Sequence, residues 1–247
     1  MDRHRLATVE CATLRMLMQF DIQGDNLEIV RVRLASDDNV YAEAGKMVYK
    51  TPNVEWRSTM RGKGLAGKLI GGLKSKLIGE SLFFTHFECP GGGGEVGFAG
   101  DFPGRVRPLH LQPGRSVLVQ RDGFVAAESG VKLDIAFTKK IGAGLFGGEG
   151  FILQRLSGQG TAFIHAGGDF VEFELADGET LQADTGSLVC FDDTVSYGIE
   201  MAGGIAVSLF GGEGLFLATL TGPGKVVLQT LTLEKLRREM QVGLSSS

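Results

Sequence analysis

The hexapeptide Leu-Phe-Gly-Gly-Glu-Gly stands at Leu145–Gly150 and again at Leu209–Gly214. A looser copy, Leu-Ile-Gly-Glu-Ser, occupies Leu77–Ser81. Each copy is followed by an apolar run and then by a glycine-containing turn. Self-similarity at a fixed period indicates one supersecondary unit that is used repeatedly. We therefore predict three homologous units of about 65 residues each.

A second motif precedes each hexapeptide and supports the same division. Its three copies are Ala42–Gly45, Ala127–Gly130 and Ala183–Gly186. From the glycine of each copy to the glutamate that follows it, the chain runs 35, 19 and 27 residues. Without the 16-residue Gly/Lys segment 61–76, the first distance becomes 19 and equals the second. The first unit is therefore predicted to carry an insertion.

Each unit is predicted to consist of β-strands. Leu27–Leu34 alternates apolar and charged residues, which is typical of a half-buried strand. Four of the six prolines precede glycine, and Pro-Gly favours turns. Many short strands with frequent glycine turns predict an all-β fold, in which each unit is a short double-stranded β-helix or β-sandwich. The predicted parts are an N-terminal extension 1–16, β unit 1 at 17–100 with the insertion 61–76, β unit 2 at 101–167, β unit 3 at 168–230, and a C-terminal helix with a tail at 231–247.

The C-terminal helix is predicted from its capping residues and its apolar face. Thr232 can cap its start, and Gly243 can end it. Leu233, Leu236 and Met240 share one face of such a helix.

Composition excludes several classes of protein. The chain has 38 glycines among 247 residues, but 43% of its residues are apolar, so it is neither collagen nor a disordered linker. A net charge of −4 argues against nucleic acid as the main partner. No run of about 18 apolar residues occurs, so no transmembrane segment is predicted. The three cysteines form no CxxC pair, and Cys190 is predicted to be a buried thiol in a cytoplasmic protein.

Two glycine-rich stretches look like phosphate-binding loops. Gly142–Gly147 matches GxGxxG, but an apolar β run follows where a dinucleotide site needs a helix. Gly62–Leu69 lacks the Ser or Thr that ends a P-loop. We interpret the first stretch as a repeated structural turn and reject nucleotide hydrolysis for the second.

The Gly/Lys segment is the strongest candidate for a partner-binding site. Leucines recur every fourth residue in it, as on one face of a helix, but four glycines oppose helix formation. A flexible loop is therefore favoured, which would bind a membrane surface or an acidic partner only when that partner orders it. The candidate binding residues are Arg61, Lys63, Lys68, Lys74 and Lys76.

No catalytic, cofactor-binding or metal-binding residues are predicted. The histidines, His4, His86, His110 and His165, form no HxH or HxxxH pair. His86 matches Arg155 and Thr219 in the repeat alignment, which indicates a solvated outward face. Equivalent glutamates in three units should lie apart, so capping of backbone N–H groups is the plainer role for Glu80, Glu149 and Glu213.

The chain resembles the altered-inheritance-of-mitochondria family of fungi and its uncharacterised bacterial relatives, from about Phe20 to Leu236. The matching motifs are Phe20–Asp25, Ala42–Met47, Gly79–Phe83, Phe98–Ala99 before Pro103–Gly104, Phe146–Gly150, Asp184–Gly186, Thr221–Gly224 and Gln229–Thr230. The resemblance implies a fold like that of the tryptophan RNA-binding attenuation protein, with three chains closing a ring of nine units. Fungal members act in mitochondrial biogenesis, and no catalytic residues of the family can be carried over.

We therefore expect a non-enzymatic, ring-forming scaffold or binding protein that assembles as a homotrimer. Two alternatives stay open. The first is RNA or nucleotide binding by a ring like that of the attenuation protein, and it rests on likeness of fold. The second is a small-molecule enzyme whose site lies between units or chains.

Overall fold

Nineteen strands, two short 3-10 helices and one α-helix occupy the residues that the computed structural model describes, which are 18–61, 82–139, 151–201 and 216–245. The strands are β1 Gln19–Gln23, β2 Ile29–Leu34, β3 Asn39–Glu43, β4 Met47–Lys50, β5 Glu55–Arg61, β6 Leu82–Glu88, β7 Gly94–Ala99, β8 Gly104–Leu111, β9 Ser116–Gln120, β10 Phe124–Glu128, β11 Val131–Lys139, β12 Phe151–Gly158, β13 Gly160–Gly167, β14 Phe170–Leu175, β15 Thr180–Asp184, β16 Leu188–Asp192, β17 Ser196–Met201, β18 Phe216–Thr221 and β19 Gly224–Gln229. The helix, α1, is Leu233–Ser245. The predicted all-β fold with one C-terminal helix is confirmed.

The strands form four sheets, and every pairing between neighbouring strands is antiparallel. Sheet A has the order β1-β2-β7-β4, and sheet B has the order β5-β6-β3-β10-β13-β8. Sheet C has the order β11-β12-β9-β16-β19-β14, and sheet D has the order β15-β18-β17. Sheets B and C are therefore each built from two groups of three strands, one from an earlier and one from a later part of the chain. The earlier group is β5-β6-β3 in sheet B and β11-β12-β9 in sheet C.

Three apolar cores lie between the four sheets. The first core joins side chains of sheets A and B, the second joins sheets B and C, and the third joins sheets C and D. Sheet B shows this directly, because Phe163 of β13 belongs to the first core and its neighbour Ile164 belongs to the second. The sheets are therefore layers of one stack, in the order A, B, C, D.

The position of a strand in this stack explains its pattern of burial. Residues 161–167 of β13 are buried without interruption, because both faces of sheet B are covered. In β2, Val30, Val32 and Leu34 are buried while Arg33 is exposed, because sheet A ends the stack and presents one face outward. The alternation that predicted a strand at Leu27–Leu34 therefore also marks the end of the stack.

The structure corrects two details of the sequence interpretation. Strands β3 and β15 end at Glu43 and Asp184, and each is followed by a short turn. In the middle of the chain, the strand that ends before the equivalent turn is β9, whose last residue is Gln120. Glu128 instead ends β10, the strand after that turn. The middle copy of the motif is therefore centred on Gln120 and not on Glu128. Helix α1 continues two residues beyond Gly243, and the predicted cap is confirmed by the Lys235 N–H, which donates to Thr232 Oγ1 over 3.1 Å.

Candidate functional site

Strands β4 and β15 each have an edge that no described strand pairs with, and both have equivalents that are paired elsewhere in the stack. In sheet B, β3 of the earlier group pairs with β10 of the later group, and in sheet C, β9 pairs with β16. By position in the sheets, β15 corresponds to β3 and β9, whereas β4 corresponds to β10 and β16. Each therefore lies at the edge of a sheet where its counterparts make a junction.

A shared bulge fixes the equivalence of the second set of strands residue by residue. The register shifts between Met47 and Tyr49 in β4, and the same shift occurs in β10 and β16. The extra residue at the bulge, which has no opposite residue in that strand pair, is a valine in all three strands: Val48, Val125 and Val189. Val125 and Val189 are 0% and 1% exposed, but Val48 is 58% exposed. Among the described residues, Val48 is therefore an exposed apolar side chain whose two counterparts are buried.

Beside Val48, a polar network covers the outer face of sheet A. Arg31 Nη2 donates to Glu95 Oε1 over 2.8 Å, and the Tyr49 hydroxyl donates to the same oxygen over 2.6 Å. The hydrogen bonds from Tyr49 and Arg31 lower the pKa of Glu95. Gly97 makes room for the Tyr49 ring, since a Cβ at this position would lie 2.4 Å from Tyr49 Cε1. This network holds β4 against β7, and no described strand pairs with the opposite edge of β4.

A polar cluster lies where β3 ends, and its members are Glu43, Lys46, Asp101, Gln154 and His165. Gln154, on β12 of sheet C, is fully buried and donates from Nε2 to Glu43 Oε1 over 2.8 Å. The Gln154 Oε1 atom has no hydrogen-bond partner among the described residues. Burial raises the pKa of Glu43, and the Gln154 hydrogen bond and the charge of Lys46 act against that rise.

The other half of the polar cluster is a buried lysine beside a buried histidine. Lys46 is 3% exposed, and its Nζ lies 2.5 Å from Asp101 Oδ2. The His165 ring contacts Phe102 edge-on, with ring centroids 5.0 Å apart. Gly104 permits this packing, because a Cβ there would lie 2.5 Å from His165 Nε2. Burial, and then the charge of Lys46, lower the pKa of His165 to about 4.

His165 should make the protein sensitive to acid. Its pKa is about 4 in the folded protein and 6.5 without perturbation, so its stabilising contribution is present above pH 6.5 and is lost as the pH falls towards 4. The shift corresponds to about 3 kcal/mol of unfolding free energy. His165→Gln should remove that loss, because Gln229 fills the equivalent place in β19. Urea unfolding at pH 7.5 and 4.5 measures it.

The matched control is His110→Gln, since His110 lies exposed on β8. This variant should keep the acid sensitivity of the natural protein. An unchanged pH dependence in His165→Gln would contradict the assignment to His165.

The structure places only some of the residues that the sequence singled out. Each of the three residues aligned at the His86 position faces a residue of the adjacent strand: His86 faces Tyr41, Arg155 faces Leu118, and Thr219 faces Gln182. All three side chains are half-buried and hydrogen-bonded. Cys190 is buried as predicted, with its pKa raised to about 12 by burial. Within the described ranges, no group of three or more His, Cys, Asp or Glu side chains could hold a metal ion.

Several of the predicted features lie outside the described residues. They are His4, both phosphate-loop look-alikes, the hexapeptide copies, Glu80, Glu149, Glu213, and Lys63, Lys68, Lys74 and Lys76 of the Gly/Lys segment. Arg61 ends β5, where that segment begins. Partner binding by the Gly/Lys segment therefore stays a prediction. Of the described helices, none is long and apolar enough to cross a membrane.

Sequence reasoning missed Val48, Gln154 and the pairing of Gln154 with Glu43. Val48 carries no signal of its own, because a valine also stands at the two buried equivalents. Gln154 offers a weak signal, since it is a polar residue that directly follows the apolar run Phe151–Leu153. Its partner lies 111 residues away in sequence, so only the tertiary structure identifies it.

The stack and its open edges define an all-β protein of layered antiparallel sheets. The family described as Mitochondrial biogenesis AIM24 matches residues 20–231, so the chain belongs to this family. An uncharacterised protein of Streptococcus pyogenes serotype M6 is 31% identical over 234 residues, which cover 93% of this chain and 92% of that protein. A crystal structure of a Streptococcus pyogenes protein has a TM-score of 0.72 and 26% identity, over 91% of this chain and 98% of that one.

These comparisons confirm the family that the sequence motifs indicated. The similar bacterial protein is itself uncharacterised, so it assigns no biochemical activity to this chain. The likeness of the fold to the tryptophan RNA-binding attenuation protein stays a prediction.

Proposed function

We propose that the protein is a scaffold that assembles head to tail into a closed ring of three identical chains. Each chain supplies three tandem β units, formed by β1–β7, β8–β13 and β14–β19. These groups of strands fall inside the predicted ranges 17–100, 101–167 and 168–230. The number of chains follows the family resemblance, and the direction of assembly follows from the open edges.

The exposed Val48 carries the proposal. Inside the chain, the bulge valine of each later unit enters the core of the unit before it: Val125 enters the first core and Val189 enters the second. By the same rule, Val48 of one chain would enter the third core of its neighbour. The open edges β15 and β4 would then pair as β3 pairs with β10. Closing the ring in this way would leave neither of these two edges unpaired.

The mass of the particle in solution tests the ring. Light scattering on the purified protein should give three times the chain mass of 26.4 kDa. The same mass should persist on dilution to about 1 μM, since obligate assemblies bury large apolar areas. A clean monomer would contradict the proposal.

A disulfide cross-link tests the register of the new junction. In the two internal junctions, Ala127 stands opposite Tyr41, and Phe191 stands opposite Leu118. The equivalent pair between chains is Lys50 and Gln182. A Lys50→Cys, Gln182→Cys double variant should therefore form disulfides between chains on oxidation, because facing residues on paired antiparallel strands bring their Cβ atoms within reach of an S–S bond.

On a denaturing gel, the covalent ladder of this variant should stop at three chains, because closure of a three-chain ring uses the β4 edge and the β15 edge of every chain. The matched control is Lys50→Cys with Val171→Cys, because Val171 is exposed on β14, away from the proposed junction. Cross-linking of the control to the same extent, or a ladder that continues beyond three, would overturn the closed head-to-tail ring.

A further inference from the structure

Glu43 and Gln154 join sheets B and C where β3 ends. Gln154 lies on β12, and its Nε2 donates to Glu43 Oε1 over 2.8 Å. Gln154 is fully buried, yet its Oε1 finds no donor among the described residues. A buried amide oxygen without a donor is costly and calls for an explanation. The Glu43 carboxyl is already hydrogen-bonded to the other end of the same amide, the Gln154 Nε2.

The charged groups around Glu43 do not supply the donor that Gln154 Oε1 lacks. Lys46, from the turn after β3, attracts the Glu43 carboxylate, but its ammonium group is already paired with Asp101. Arg121 and Asp122, from the turn after β9, act on Glu43 with opposite signs. The largest influence is burial, which raises the pKa of Glu43 above its ordinary value. Burial therefore favours the protonated acid.

A protonated glutamate has the donor that Gln154 lacks. A carboxylic acid offers one O–H donor and one carbonyl acceptor, and a primary amide offers the complementary pair. The Glu43 carbonyl would keep the hydrogen bond from Gln154 Nε2, while its O–H would donate to Gln154 Oε1. The orphaned acceptor and the half-buried acid are then satisfied by the same arrangement.

We propose that Glu43 is held protonated against Gln154 as a two-hydrogen-bond acid–amide pair, and that this pair is a pH-sensitive clamp between sheets B and C. Loss of the proton leaves two acceptors facing one another and loosens the clamp. The stabilising contribution of the clamp is complete below the ordinary glutamate pKa of 4.5 and is lost as the pH rises through the higher pKa of the folded protein. A rise in pH above the pKa of Glu43 in the folded protein therefore weakens this contact between layers.

Glu43→Gln tests the clamp, because a glutamine at this position presents the same donor and acceptor as the protonated acid but cannot lose a proton. We expect this variant to match the natural protein at pH 5 and to be the more stable one at pH 8. The expected result at pH 8 is a higher urea midpoint for the variant than for the natural protein, because only the natural protein can lose the proton of the pair. Unfolding by urea at the two pH values, at one protein concentration, measures it.

The matched control is Glu128→Gln, because the Glu128 carboxylate only accepts a hydrogen bond, from the Thr161 N–H over 2.5 Å. This control should gain no stability at pH 8. A Glu43→Gln variant that is less stable than the natural protein at both pH values would overturn the proposal.

Infrared spectroscopy provides a readout that does not depend on stability. The difference spectrum between the natural protein and Glu43→Gln at pH 5 should contain the carbonyl band of a protonated carboxylic acid. This band should fade as the pH rises to 8, together with the loss of stability. A carboxylate band at pH 5 would show that Glu43 is ionised beside Gln154 and would overturn the proposal.

Discussion

Val48→Asp should convert the assembled protein into single chains. Val48 is 58% exposed in the chain, so the substitution should leave the folded chain itself almost unchanged. In the proposed ring, the same position would be covered as Val125 and Val189 are. Burial of a valine stabilises by about 1.5–3 kcal/mol, and burial of an unpaired carboxylate costs more than that. We therefore expect association to weaken at least about 100-fold.

Light scattering over a range of concentrations measures this change. Val171→Asp is the control, since it makes the same substitution at an exposed strand residue away from the proposed junction, where the side chain is 38% exposed. The control should keep the mass of the natural protein. If Val48→Asp also kept that mass, the edge of β4 would not be the interface.

Phe163→Ala should produce the largest loss of stability. The Phe163 side chain is fully buried on β13 and points into the first core, where its ring meets Phe20 edge-on with centroids 5.0 Å apart. Removal of a buried phenyl group costs about 3–5 kcal/mol, because the transfer energy is lost and a cavity remains. Urea unfolding at fixed protein concentration measures the loss, since assembly makes stability depend on concentration.

Phe170→Ala is the matched control for this substitution. Phe170 is half-buried on the edge strand β14, with the Arg107 guanidinium carbon 4.2 Å from its ring centre. The control should lose less than half as much stability, because its ring leaves less apolar surface to expose. A loss below about 1 kcal/mol in Phe163→Ala would contradict burial of sheet B on both faces.

The local pattern of residues predicted the type of structure well. Alternation in Leu27–Leu34 predicted the strand β2, and Thr232 predicted the start of the helix, because periodicity and capping act over a few residues. The same approach misplaced the middle copy of the second motif. Ala127–Gly130 resembles Ala42–Gly45 in residue type, but the turn equivalent to the latter follows Gln120. Strand register, and not resemblance of four residues, decides which turns are equivalent.

The sites depended on contacts that no local pattern contains. Glu43 meets Gln154 across 111 residues of chain, because sheets B and C are adjacent layers of the stack. Val48 has the same residue type as Val125 and Val189, but its side chain is exposed whereas theirs are buried. Sequence reasoning missed these residues because their burial and their partners depend on distant parts of the chain.

By itself, the sequence determined that this is an all-β member of the AIM24 family with short strands and glycine-rich turns, since residue type and spacing act locally on the backbone. The tertiary structure alone decided that four sheets enclose three cores. It also showed that β4 and β15 lie at sheet edges among the described strands and that a glutamate is hydrogen-bonded to a buried amide. The physical reason is that hydrogen bonding between strands and burial between sheets join residues that are distant in the chain, and that each side chain acquires its environment only when those layers meet.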